Sequence, residues 1–149
     1  MNLHIRYITG TVHYLFFWPL LEWHVTRREC GRGQIQRNDG LWYWAEYSTF
    51  SVSDEGNNYR LTVDGYSGDA GDAMAAADGE TWNANGKPFS APDRDNDGAQ
   101  YYHCSAAYGM GWWFDLCSVN FLTGNVHGTW SVSGDMNNVQ AARMMVRVD

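Results

Sequence analysis

The sequence holds no G-x-S-x-G nucleophile turn, no H-E-x-x-H pair and no phosphate-binding G-x-x-x-x-G-K-[ST] loop. Those hydrolytic and nucleotide chemistries therefore have no visible carrier. Basic residues are scarce, with 10 Lys and Arg against 17 Asp and Glu, and they form no cluster. That excludes the basic groove a nucleic acid needs. No cysteine sits in a C-x-x-C, so the usual zinc and thioredoxin spacings are missing. No N-x-[ST] sequon occurs, and neither an internal repeat nor a coiled-coil heptad pattern is visible. The longest apolar run, "YITGTVHYLFFWPLLEW", is interrupted by His13, Pro19 and Glu22. It is too short and too broken for a membrane span, so no membrane insertion is expected. Arg6 precedes it as in a signal segment, but no small-x-small cleavage site follows. A buried strand or helix is the alternative.

What is present suits one folded domain. The chain has 149 residues, 44% of them hydrophobic and 15% aromatic, with 8 Trp. Most of those rings belong in a core, and a few can form a ligand surface. The net charge is -7, with the acidic residues concentrated between Asp54 and Asp97. Such a bias favours cations over phosphates. Of the three cysteines, Cys104 and Cys117 enclose a short loop natural for a disulfide. Closing it contributes about 3 kcal/mol in the chain-entropy model. Cys30 then implies a missing partner, an intermolecular bond or a free thiol.

Residues 1–43 carry little pattern, and "TRRECGRGQIQRNDG" reads as a polar, glycine-bearing connector. Beyond them "YSTFSVSDEGNNYRLTVDG" alternates on both sides of a polar turn. Phe50 and Val52 share one face of the first strand; Tyr59, Leu61 and Val63 share one face of the second. "DAGDAMAAAD" has an Asp start and strong helix formers, which predicts a short helix. Residues 79–134 lack periodicity and recur in Gly, Asn, Asp and Pro. An irregular region that long needs a metal, a disulfide or both. "ARMMVRVD" alternates again, with Met144, Val146 and Val148 on one face of a last strand.

The stretch "DRDNDGAQYYHC" places Asp93, Asp95 and Asp97 at alternate positions before Gly98. It opens like an EF-hand loop, where alternate carboxylates wrap a hard cation and a glycine makes the turn. The twelfth position, however, is Cys104 instead of the bidentate Glu, and "KPFSAP" breaks any preceding helix. The choice lies between a one-off calcium loop, which is the preferred reading, and a solvated acidic turn. Magnesium and zinc fit less well, since no phosphate site and no His/Cys set accompanies the loop.

Four segments taken together, "YRLTVDGYSGDAGDAM", "NGKPFSAPDRDND", "C…GWWFDLC" and "MMVRV", resemble the fibrinogen C-terminal domain family in order and spacing over residues 44–149. The resemblance implies an α+β fold: a small twisted antiparallel sheet, one or two short helices, and a long irregular subdomain held by calcium and a disulfide. Residues 44–80 and 140–149 would be the sheet part and 81–139 the calcium and ligand part, with 1–43 unassigned. It implies a Cys104–Cys117 disulfide and calcium bound by the side chains of Asp95 and Asp97 and the carbonyls of Ala99 and Tyr101. Asp93 would lie behind them. It implies a cis peptide at Leu116–Cys117. In the lectin-like members (ficolins, tachylectins) an acetyl group binds beside the calcium loop. Here Tyr108 resembles a wall of that pocket, and the amides of Cys117 and Ser118 stand where the carbonyl oxygen would be received.

Three departures qualify what the resemblance implies. Ser118 replaces the histidine that often follows the second cysteine, and the segment from Cys117 to Trp130 is short. The stretch "SAAYGM" lacks the acidic and amide residues of a fibrin-type peptide pocket. Residues 1–43 do not resemble the usual N-terminal subdomain, so the chain reads as truncated or fused, and part of the sheet would lack its edge partner. The expected function is a secreted, calcium-dependent recognition module for acetylated glycans, as in innate-immune lectins. The alternatives are an extracellular protein-interaction module without a sugar pocket and a non-functional fragment. Catalysis is not expected, because Asp95 and Asp97 would be occupied by the cation instead of flanking a cleft. Homo-oligomerisation is left open.

Overall fold

The computed structural model describes residues 4–7, 29–75, 83–117, 122, 128–130 and 138–147. These form strands β1 (His4–Tyr7), β2 (Glu29–Arg37), β3 (Trp42–Val52), β4 (Leu61–Gly68), β5 (Gly128–Thr129) and β6 (Asn138–Arg147), with a short α-helix, α1 (Cys104–Tyr108), and a 3-10 turn at Glu55–Asn57. One sheet takes the order β1-β6-β2-β3-β4, and β5 pairs with β6. The pairings from β6 through β2 and β3 to β4 are antiparallel; β1 runs parallel to β6. The α+β class, with a largely antiparallel sheet and little helix, is as the sequence predicts.

The β3–β4 hairpin follows its alternation. Phe50, Leu61 and Val63 are buried, and the turn residue Asp54 accepts from Asn57 N at 3.1 Å. Asn58 and Tyr59 leave the turn in the left-handed region, at φ of 53° and 52°. The inner face shifts by one residue further along, from Phe50 to Tyr47 on β3 and from Val63 to Tyr66 on β4. Gly65, at φ +68°, makes that shift in β4, and a Cβ there would stand 1.9 Å from Ser48 Oγ. Segment 83–87 covers the open edge of β4: Leu61 N donates to Lys87 O, Gly86 N to Leu61 O and Val63 N to Asn85 Oδ1. That blunts an exposed pairing edge.

Two sequence expectations are corrected here. The connector around "ECGRGQIQR" is in fact β2, flanked by β3 and β6. Its glycines read as loop punctuation, but Gly31 faces the core, where a Cβ would lie 2.6–2.9 Å from the Phe50 side chain. The missing side chain is the space that ring fills. The helix predicted from Asp69 is also absent over the described residues 69–75. Most of its polar groups bond to other parts of the fold, and within it Ala75 N donates to Asp72 Oδ1. Asp69 N and Ala70 N both donate to Trp44 O at 3.0 Å, and Trp44 N returns a bond to Asp69 Oδ1 at 2.7 Å. Tyr47 Oη donates to Asp72 Oδ1 at 2.9 Å, Gly71 N donates to Tyr66 Oη at 2.8 Å, and Trp130 Nε1 donates to Gly71 O at 3.0 Å. Burial and the Asp72 carboxylate push the Tyr47 phenol far above its ordinary pKa, so it stays a donor.

Tyr47→Phe would take that donor from the half-buried Asp72, leaving Oδ1 the Ala75 amide alone, and would remove the acceptor of the buried Met74 N. We expect a loss of about 1–3 kcal/mol in urea unfolding. Gly31→Ala, forced against Phe50, should cost about 1–3 kcal/mol by overpacking. An unchanged midpoint in both variants would contradict this account of the core.

Candidate functional site

The irregular region between β4 and β5 has its own anchors. Ser90 and Trp112 exchange main-chain bonds of 2.9 and 3.1 Å, which pins the stretch before the acidic loop to the stretch before Cys117. Trp112 is buried. Trp113 donates from Nε1 to Tyr59 O at 2.8 Å and sets its ring edge-on to Phe89 and Phe50. Both indoles therefore pack on the core. Cys104 and Cys117 are disulfide-bonded, with Cα atoms 5.0 Å apart. Cys30 stands on β2, half-buried and outside that bond.

The acidic loop hangs from this frame. Asn96 N donates to Ser90 Oγ and Asn96 Nδ2 to Phe89 O, so the residue between the two candidate ligands is tied inward. Asp97 Oδ1 accepts from Ala99 N at 2.8 Å, and Asp97 Oδ2 accepts from Cys104 N at 2.9 Å. Gly98 N donates to Asp115 O at 2.7 Å. Asp95 Oδ1 accepts from Asp97 N at 3.3 Å and lies 4.0 Å from His103 Nε2, which itself contacts Ala91 O at 3.1 Å. Asp93 is exposed. Burial raises the Asp97 pKa above its ordinary value, and the charge of Asp95 adds to the rise. The Ala99 and Cys104 amides offset part of it.

This donor set fits a hard cation. Each Asp97 oxygen receives one amide and keeps lone-pair capacity, and a cation would offset the burial and, to a lesser degree, the Asp95 repulsion that raise its pKa. Ala99 O takes only a long 3.4 Å contact from Tyr102 N. Among the described residues no three His, Cys, Asp or Glu side chains converge. A cation held here would need carbonyls and water as its remaining ligands, which calcium accepts and a structural zinc site does not.

The candidate ligand residues are placed differently. Tyr108 ends α1, half-buried, with its ring centroid 5.9 Å from that of Phe114. Cys117 is half-buried at φ +52°, and Ser118 lies outside the described residues. The expected cis bond at Leu116–Cys117 is trans, the cheaper form for a non-proline peptide, and the bend is taken by the left-handed Cys117. Sequence reading missed a surface next to the loop. Tyr101 is 92% exposed, Tyr102 55% and Leu116 51%. The signal was there in the "YY" between the acidic run and the first cysteine.

A sequence model of the fibrinogen beta and gamma chains, C-terminal globular domain, matches residues 28–144. The chain belongs to the fibrinogen C-terminal domain family. The match begins just before β2, so it takes in residues 28–43, upstream of the segments that carry the resemblance. Protein scabrous of Drosophila melanogaster is 37% identical over 131 residues, 83% of this chain and 15% of that protein. A techylectin-like protein of Phoneutria nigriventer is 36% identical over 81 residues, 54% of this chain and 33% of that protein. The fibrinogen-like globe domain of human ANGPTL6 superposes with a TM-score of 0.66 at 28% identity, over 82% of this chain and 57% of that one. The chain thus spans a third or less of the length of those two relatives. Fibrinogen-like domains are non-enzymatic recognition modules. No helix among the described residues is long and apolar enough to cross a membrane.

Replacing Cys104 and Cys117 together by Ser should lower stability by about 3 kcal/mol, the loop-closure term for a ring of this size. A urea midpoint equal to that of the wild type would show that the anchors around Asp97 hold the loop without the bond.

Proposed function

We propose that this fibrinogen-like domain is a calcium-dependent recognition module of the secreted space, holding Ca2+ with the Asp95 and Asp97 carboxylates and the carbonyls of Ala99 and Tyr101. The observation that carries the reading is the state of Asp97. Its two oxygens are fixed by main-chain amides, while burial and Asp95 disfavour its charge. A divalent cation supplies the missing countercharge. The disulfide supports a secreted context, since such bonds persist in oxidising compartments.

The ligand reading favoured by the family resemblance is an acetylated glycan taken up beside Cys117, with Tyr108 and the Cys117 and Ser118 amides as the polar and aromatic contacts. The likeness to a techylectin-like protein supports it. A second reading rests on a different observation. Tyr101 and Tyr102, which follow the acidic run directly in the chain, hold their rings in solvent, which suits a protein partner, because Tyr is enriched at interfaces and a contact beside a cation-holding loop would be cation-dependent.

The two readings separate on an acetylated resin. The acetyl reading predicts retention of the full chain in millimolar calcium, release by chelator, and loss in Asp95→Asn and Asp97→Asn. A folded, calcium-bound chain that passes straight through contradicts the acetyl reading and leaves the protein-binding surface. Tyr101→Ala should then weaken capture of that partner while leaving calcium affinity intact, because only the ring is lost and the carbonyl remains.

A further inference from the structure

Lys87 Nζ and Asp115 Oδ2 meet at 2.9 Å, with side chains only 31% and 20% exposed. The other ion pairs among the described residues span 3.7–4.0 Å, and the three are Arg32–Glu46, Arg94–Glu55 and His103–Asp95. Separations that long at a solvated surface contribute little, whereas a hydrogen-bonded, mostly covered pair is screened far less. Each partner has a second attachment. Lys87 O accepts from Leu61 N, the first residue of β4. Asp115 O accepts from Gly98 N at 2.7 Å, and a Cβ on Gly98 would lie 3.0 Å from Asp115 Oδ1 and 3.1 Å from its main-chain oxygen. The contacts run without a gap from the rigid sheet to Lys87, to Asp115, to Gly98, and so to the peptide that follows Asp97.

We propose that the Lys87–Asp115 pair is a positioning brace for the acidic loop, holding Asp97 in its cation-ready setting by fixing Asp115 against Gly98. Neither residue is among the proposed ligands. This inference rests on the calcium reading of the loop. Residues that orient metal ligands from behind typically set affinity by about tenfold or more when lost.

The charge of Lys87 makes the test decisive. Lys87→Met removes a positive charge from the neighbourhood of a cation site, so a pure field effect would tighten binding. Loss of a brace would weaken it. Terbium(III) luminescence and calcium titration calorimetry give the affinities, measured well below the unfolding midpoint of each apo variant. We expect Lys87→Met and Asp115→Asn each to weaken both cations by about tenfold, and Lys87→Arg to restore most of the affinity. If the wild type binds and Lys87→Met binds as tightly or more tightly, the brace is overturned and the calcium reading stands. If the wild type binds neither cation, the calcium reading fails and the brace with it. If Lys87→Arg binds as weakly as Lys87→Met, the ion pair is not the determinant and the brace is overturned.

Discussion

Asp97 sits where the irregular half of the molecule has no strand or helix to define it. One oxygen receives the amide of Ala99, closing the loop on itself, and the other receives the amide of Cys104, joining the loop to the first residue of α1 and to the disulfide. The next residue, Gly98, reaches the second arm of the disulfide ring through Asp115. A single carboxylate and its neighbour thus hold both arms of the Cys104–Cys117 ring in register. Partial burial beside Asp95 disfavours its charge, which is why its pKa rises.

The sheet supplies the rigid wall behind that loop by a related device. Segment 69–75 carries helix-forming residues yet spends its polar groups on the sheet, through Asp69, Asp72, Tyr47 and Tyr66. Tyr47 lies on the inner face and is almost wholly buried, so its bond to Asp72 works in a setting where an unmade bond is expensive. Trp130, distant in sequence, closes the same cluster through Gly71 O. In both halves of the domain, irregular chain is held by carboxylates and main-chain groups, and apolar packing fills the space between.

The parts legible in the sequence were those with local cause. The β3–β4 hairpin shows in its alternation around "DEGNN", and the disulfide in the spacing of two cysteines. β2 was hidden because Gly31 and Gly33 look like a turn until Phe50 is seen over Gly31. The helix expected from Asp69 does not form over 69–75 because helix propensity is weak against the six tertiary bonds named above, each of about 1 kcal/mol. The acidic loop was visible as a candidate cation site. Lys87 and Asp115 were not, since their pairing and its link to Gly98 depend on segments brought together only by the fold. Tyr101 entered the sequence reading for its carbonyl alone, and only the structure shows its ring standing in solvent.

If the acidic loop binds calcium as proposed, the bound cation must stabilise the fold. The direct test is thermal unfolding of the full chain in calcium and in chelator. A ligand that binds only the folded state adds RT ln(1 + [L]/Kd), about 2.7 kcal/mol at a hundredfold excess over Kd. The account predicts a cooperative transition that moves up with calcium and an Asp97→Ala variant that ignores it. A cooperative wild-type transition at the same temperature in both conditions would contradict it and leave the loop a solvated acidic turn.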